Sequence, residues 1–110
     1  MLAEDKIRRC VVELIRAAAI HLPEDVKVSL RRAYELEDDL LARRMLAAIL
    51  ENVELAGRRG RPICQDTGVV MFSVRAGERF PMLGKLPEIL RMAVVEATKT
   101  IPLRPMPSMW

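Results

Sequence analysis

The stretch Leu40-Leu41-Ala42-Arg43-Arg44-Met45-Leu46-Ala47-Ala48-Ile49-Leu50-Glu51-Asn52-Val53-Glu54-Leu55-Ala56-Gly57 decides the fold. Leu40, Leu41, Met45, Leu46, Ala48, Ile49, Val53 and Ala56, with Asn52 among them, recur at helical spacing over a wide arc. A helix apolar over so wide an arc belongs near the centre of a domain. Asp38 is placed to cap its start and Gly57 to end it in the left-handed conformation. Upstream, Ile7, Val11, Leu14, Ile15 and Ala18 form one stripe, which predicts a first helix within Leu2–Leu22. Pro23 ends that helix, because proline disfavours helical geometry in the residue before it, and suits the first turn of the next. Val26, Leu30, Ala33 and Tyr34 continue the helical spacing, and the polar run Glu35–Asp39 separates the second helix from the third. Downstream, Arg58–Pro62 reads as a basic loop. Val69–Arg75, rich in β-branched and apolar residues, predicts a buried strand. Ala76-Gly77-Glu78 is a turn, and Pro87 opens a last helix with Ile89, Leu90, Ala93, Val94 and Ala97 on one face. Prolines after Ile101 forbid regular structure. The expectation is an α+β fold, helix-dominated, with three or four helices packed on a small β-sheet.

Composition bounds the rest. A chain of 110 residues is one domain at most. With 51% hydrophobic and 30% charged residues at a net charge of +3, disorder by charge is excluded. Only four residues are aromatic, one Trp, one Tyr and two Phe, so the core must be aliphatic. The two cysteines, Cys10 and Cys64, are too few and too far apart for a disulfide scaffold. No secretory leader is visible, and charges interrupt every apolar run, so a cytoplasmic setting without membrane insertion is expected. The charge is uneven. Residues 1–55 are slightly acidic, and residues 56–110 carry the positive excess, so the second half would attract anions. Nucleic acid is not the expected partner, because no helix-turn-helix, zinc or stacking-aromatic signature accompanies that charge.

Chemistry concentrates in Arg58-Arg59-Gly60-Arg61-Pro62-Ile63-Cys64-Gln65-Asp66-Thr67-Gly68. Cys64, Gln65, Asp66 and Thr67 bring a thiol, an amide, a carboxylate and a hydroxyl together behind three arginines. Loops held between rigid elements are where binding groups gather. Nearby arginines favour the thiolate, the form that binds metal. The plainer readings are a cysteine acting as a small hydrophobe, a turn built on Asp66, and a solvated arginine loop.

The string Arg61-Pro62-Ile63-Cys64-Gln65-Asp66-Thr67-Gly68 closely resembles the signature of class I (iron–sulfur) fumarate hydratases and of the related L-tartrate dehydratase alpha subunits. The resemblance extends upstream through Leu50–Ala56 and downstream through Ala97–Pro105, covering about residues 4–105. It implies that Cys64 is one of three cysteine ligands of a 4Fe–4S cluster, whose open iron acts as a Lewis acid toward substrate. It implies that Gln65, Asp66 and Thr67 line the substrate pocket, with Asp66 the candidate catalytic residue for proton transfer at the departing hydroxyl. On charge alone, Arg61, with Arg58 and Arg59, would contribute positive field for a small dicarboxylate, as would Arg104. Fumarate hydration to malate is the first expectation and tartrate dehydration the second; a non-catalytic helical oligomerisation module is the alternative from a different class.

The chain departs from the family pattern in two respects. The family supplies two more cluster cysteines beyond this region, whereas here Cys10, on the apolar side of the first helix, is expected to pack in the core. The ending Met106-Pro107-Ser108-Met109-Trp110 does not resemble the family's continuation. Residues 1–105 are therefore expected to be the N-terminal part of an alpha-subunit-like domain, truncated or altered after residue 105, with 106–110 an atypical tail. The implied partners are a beta subunit or a missing C-terminal part, and a further copy in a homo-oligomer. The isolated chain is expected to be inactive.

Overall fold

The computed structural model describes residues 2–64 and 69–103. Four α-helices run in order: α1 Leu2–Ile20, α2 Glu24–Leu36, α3 Leu40–Arg59 and α4 Leu86–Thr100, with a short 3-10 turn at Leu83–Lys85 leading into α4. The chain divides into two compact units, Met1–Arg16 with Gln65–Trp110, and Ala17–Cys64.

In the first unit, α1 meets α4 through Val12, Ala93, Ala97 and Ile101, with Val11, Ile15 and Leu103 packed against them. Ala93 and Ala97 are fully enclosed, at 0% exposure. They sit four residues apart, so they stack on one face of α4. Ion pairs flank this contact. Arg8 Nη1 donates to Glu96 Oε2 at 2.9 Å, and Lys85 Nζ donates to Glu4 Oε1 at 2.6 Å. The hydrogen bond from Lys85 holds the Glu4 carboxyl below its ordinary value. Pro87 stands in the first turn of α4, where its missing N–H costs nothing.

In the second unit, α2 packs on α3. Pro23 occupies the position before α2, as its fixed φ suits. The cap of α3 is Asp39 rather than Asp38: Asp39 Oδ2 accepts from the Ala42 N–H at 3.1 Å. The stop is Gly60 rather than Gly57, with φ of 63°. Gly57 lies inside α3, and its missing side chain leaves room for the His21 ring. The central position expected for α3 holds only in its second half. Val53 and Ala56 are buried, whereas Leu40, Leu41, Met45 and Ile49 are exposed.

The expected α+β architecture is not formed: among the described residues there is no β-strand, and the fold is all-helical. The segment from Val69 to Gly77 has no regular secondary structure, and Val69, Val70, Met71 and Val74 are exposed. The β-branched run has extended preferences, but a strand is stabilised by pairing, and no second strand lies among the described residues. The turn after it is present, closed by the Phe80 N–H donating to the Gly77 carbonyl.

Candidate functional site

The site is built on the end of α3. The helix-favouring Arg58 and Arg59 carry α3 past Gly57, and their charge suits a helix C-terminus. Gly60 then turns left-handed, its N–H donating to the Ala56 carbonyl. The Arg61 N–H donates to the same carbonyl at 3.1 Å. Two donors on one carbonyl close the last turn and aim the chain away from the helix axis. Pro62 follows, a residue that cannot re-enter the helix.

Two further bonds, both within the second unit, tie the strand of chain leading to the thiol. The Ile63 N–H donates to the Ala19 carbonyl near the end of α1, at 2.8 Å. The Cys64 N–H donates to Asn52 Oδ1 at 2.9 Å. Asn52 lies two turns before the end of α3, on the side toward which the chain doubles back. Its amide oxygen thus serves as an acceptor for the backbone of Cys64. Asn52 was part of the helical stripe in the sequence reading and carried no functional assignment. The signal available was an amide interrupting an apolar arc close to a helix end.

Cys64 is a free, exposed thiol. An accessible sulfur on a tied backbone can act as a ligand or a nucleophile, which a sealed core cysteine cannot. Cys10 is also free and exposed, contrary to the core packing expected of it. It rides on the outward side of α1, because the face that α1 turns to α4 is the one bearing Val12 rather than Cys10. Of the arginines before the thiol, Arg58 pairs with Glu54 at 3.4 Å. Arg59 and Arg61 are exposed and take no ion pair among the described residues. They are the side chains of this loop with charge left for an anion. Gln65, Asp66 and Thr67 lie outside the described residues, as do Arg104 and the tail.

The donor set was tested against a 4Fe–4S cluster. Such a cluster takes three or four thiolates. The whole chain has two cysteines, and among the described residues no group of three or more His, Cys, Asp or Glu could hold a metal ion. Cys64 fits as one ligand. The chain by itself does not supply the set. No helix among the described residues is long and apolar enough to cross a membrane.

Comparison with known proteins spans the stretch that contains the Cys64 loop. The chain matches the family described as "Fumarate hydratase (Fumerase)" over residues 8–108. It is 36% identical over 102 residues to the L(+)-tartrate dehydratase subunit alpha of Escherichia coli K12, covering 93% of this chain and 34% of that protein. The subunit of the same name from Shigella sonnei matches to the same extent. A Methanocaldococcus jannaschii protein, named provisionally for the same subunit, is 42% identical over 102 residues, covering 91% of this chain and 36% of its own length. The chain therefore spans about a third of these relatives. A match running through both helical units and across the Cys64 loop leaves one conclusion: this chain belongs to the fumarate hydratase (Fumerase) family.

Proposed function

We propose that this polypeptide is the N-terminal, alpha-type portion of an iron–sulfur hydro-lyase that adds water to, or removes it from, a four-carbon dicarboxylate. The observation that carries this reading is the Cys64 loop: a family-matched motif whose thiol is accessible and whose backbone is tied to α3 through Asn52. Residues 1–105 form the family-like part and 106–110 the tail that departs from it. Two free, exposed thiols suit a reducing, cytoplasmic setting.

The roles follow from the chemistry of dehydration. Hydroxide is a poor leaving group, so the reaction needs an electrophile at the oxygen and a proton donor beside it. Cys64 supplies one thiolate toward a 4Fe–4S cluster, and the group, when bound, supplies Lewis acidity at an iron. Asp66 exchanges the proton at the hydroxyl. Gln65 and Thr67 hydrogen-bond the substrate. Arg61, exposed and without an ion pair among the described residues, offsets carboxylate charge. The remaining ligands and substrate contacts come from polypeptide beyond this stretch: a C-terminal part, a beta subunit of the kind implied by the relatives' subunit names, or both.

Fumarate hydration is the first reading, supported by the family description. Tartrate dehydration is the second, supported by the names of the relatives above. Anaerobic iron–sulfur reconstitution of the 110-residue chain, followed by absorption near the thiolate–iron charge-transfer band, tests the division of labour. The expected result is no stoichiometric cluster on the isolated chain. Supplied with the completing polypeptide, the assembly is expected to form a cluster and turn over fumarate or tartrate, and Cys64→Ser to abolish both. A full brown cluster on the chain alone, or an active Cys64→Ser assembly, refutes the assignment.

A further inference from the structure

The outward side of α1 bears an apolar groove of about 290 Å³, lined by Ile7, Cys10, Val11 and Leu14, with Lys6 completing the wall. Ile7, Cys10 and Leu14 recur at three- and four-residue steps and so form one stripe along the helix. Leu14 is 61% exposed, and Cys10 is exposed as well. α4 does not cover this stripe, because it packs on the side of α1 that bears Val12. Cys10 and Leu14 each stand two residues from Val12, roughly 160° around the helix. Lys6 is exposed, and its stem can line the groove while its ammonium stays in water.

The chain itself delivers an apolar segment to this place. Lys85 pairs with Glu4 and Glu96 with Arg8, so α4 runs beside α1 in the same direction. The end of α4 therefore comes out toward the end of the groove that holds Leu14. Ile101 clusters with Val12, and Leu103, the last described residue, packs on the same cluster as do Val11 and Ile15. Val11 belongs both to the edge of that cluster and to the wall of the groove. Seven residues follow, 104–110. An extended chain of that length reaches about 23 Å, and the groove from Ile7 to Leu14 is only about 10 Å long. The last five residues, Met106-Pro107-Ser108-Met109-Trp110, carry no charged side chain and hold two methionines and the single Trp of the chain. Pro105 and Pro107 disfavour a helix and suit the extended three-residue turn, in which positions 106 and 109 fall on one side. Methionine fills irregular apolar gaps, and tryptophan brings a large apolar area.

We infer that residues 106–110 fold back onto α1 and fill the groove between Ile7 and Leu14, with Met106, Met109 and Trp110 as the anchoring side chains. The inference does not rest on the hydro-lyase reading. It uses only the tail that departs from the family pattern and a face of α1 within the same compact unit. A docked tail withholds that face from any other polypeptide.

Trp110 is the only tryptophan, so its fluorescence reports on the tail alone. Acrylamide quenching of the 110-residue chain under reductant is the test. A tail docked in about two-thirds of molecules is expected to be quenched about threefold less than the same chain in urea, with its emission at shorter wavelength. Leu14→Lys sets a charge in the groove and is expected to remove that protection, whereas Leu14→Met, apolar and similar in size, keeps it. Met92→Lys, at an exposed apolar position of α4 outside the groove, is expected to leave the protection unchanged. Far-UV circular dichroism confirms that each variant keeps its helices. The protection is expected to be the same at about 5 µM and about 100 µM, because tail and groove belong to one chain. A Trp110 as open in the parent chain as in urea overturns the inference. Protection that survives Leu14→Lys, or is lost with Met92→Lys, overturns it equally, as does protection that fades on dilution, which would assign the groove to a second copy.

Discussion

Asn52 and Cys64 show how a residue's role is set by its partner rather than by its neighbours in sequence. The Asn52 amide oxygen takes the Cys64 N–H, and an amide left without that acceptor must find water or lose a bond. Asn52→Ala is expected to cost about 1 kcal/mol of stability and to speed hydrogen exchange at the Cys64 amide, while Asn52→Asp keeps an acceptor oxygen and most of the protection. Urea titration and amide exchange by NMR check both. Cys64 itself was legible in the sequence, because a thiol among polar groups behind three arginines is an unusual stretch. Asn52 was not, because its meaning depends on a residue twelve positions later that folds back against it. Cys10 was misplaced for a related reason. A helical stripe does not say where its edge falls: Cys10 lies two residues, roughly 160°, around α1 from the buried Val12.

At the scale of the element, two glycines and two aspartates were mistaken for their neighbours. Gly57 and Gly60 flank a pair of arginines that are good helix formers, so the helix continues to the later glycine. The distinction has opposite consequences for the same substitution. A Cβ at Gly57 would stand 3.5 Å from His21 Nδ1, ordinary contact inside a helix, whereas Gly60 holds a φ of 63°. Gly57→Ala is expected to stabilise by about 0.5 kcal/mol and Gly60→Ala to destabilise by about 1 kcal/mol, read from thermal unfolding of each variant. Asp39 caps where Asp38 was expected because the Ala42 N–H is three residues on from Asp39, the reach of a capping side chain. The contact that ties the start of α1 to the approach of α4 carries a pH dependence. Lys85 holds Glu4 below its ordinary value of 4.5, so Glu4's stabilisation is present above that pH and disappears as pH falls through the lower folded value. The gap in melting temperature between the parent chain and Lys85→Ala is therefore expected to persist at neutral pH and close as the solution is acidified below about 4.5. The helices were legible because a period of 3.6, with a proline at the start of α2 and of α4, is a local signal. The strand at Val69–Arg75 was not, because β-branched composition states a preference, and pairing is needed to realise it.

Across the whole molecule, the helical spacing located all four helices, and the motif located the loop. The sheet that would have made the fold mixed is absent among the described residues. The open half of α3 reversed another expectation: a helix apolar on a wide arc was taken for a central one, yet Leu41, Met45 and Ile49 face solvent. Periodicity measures how much surface a helix offers for burial, not whether this chain contains the surface to cover it. The same distinction applies to the matched relatives, of which this chain spans about a third.

The two free thiols have a further use that follows from where they fall. Cys10 belongs to one compact unit and Cys64 to the other, and both are exposed. A donor and an acceptor fluorophore can therefore be attached through maleimide chemistry without adding a cysteine, and energy transfer between them reports directly on the spacing of the two halves of the polypeptide.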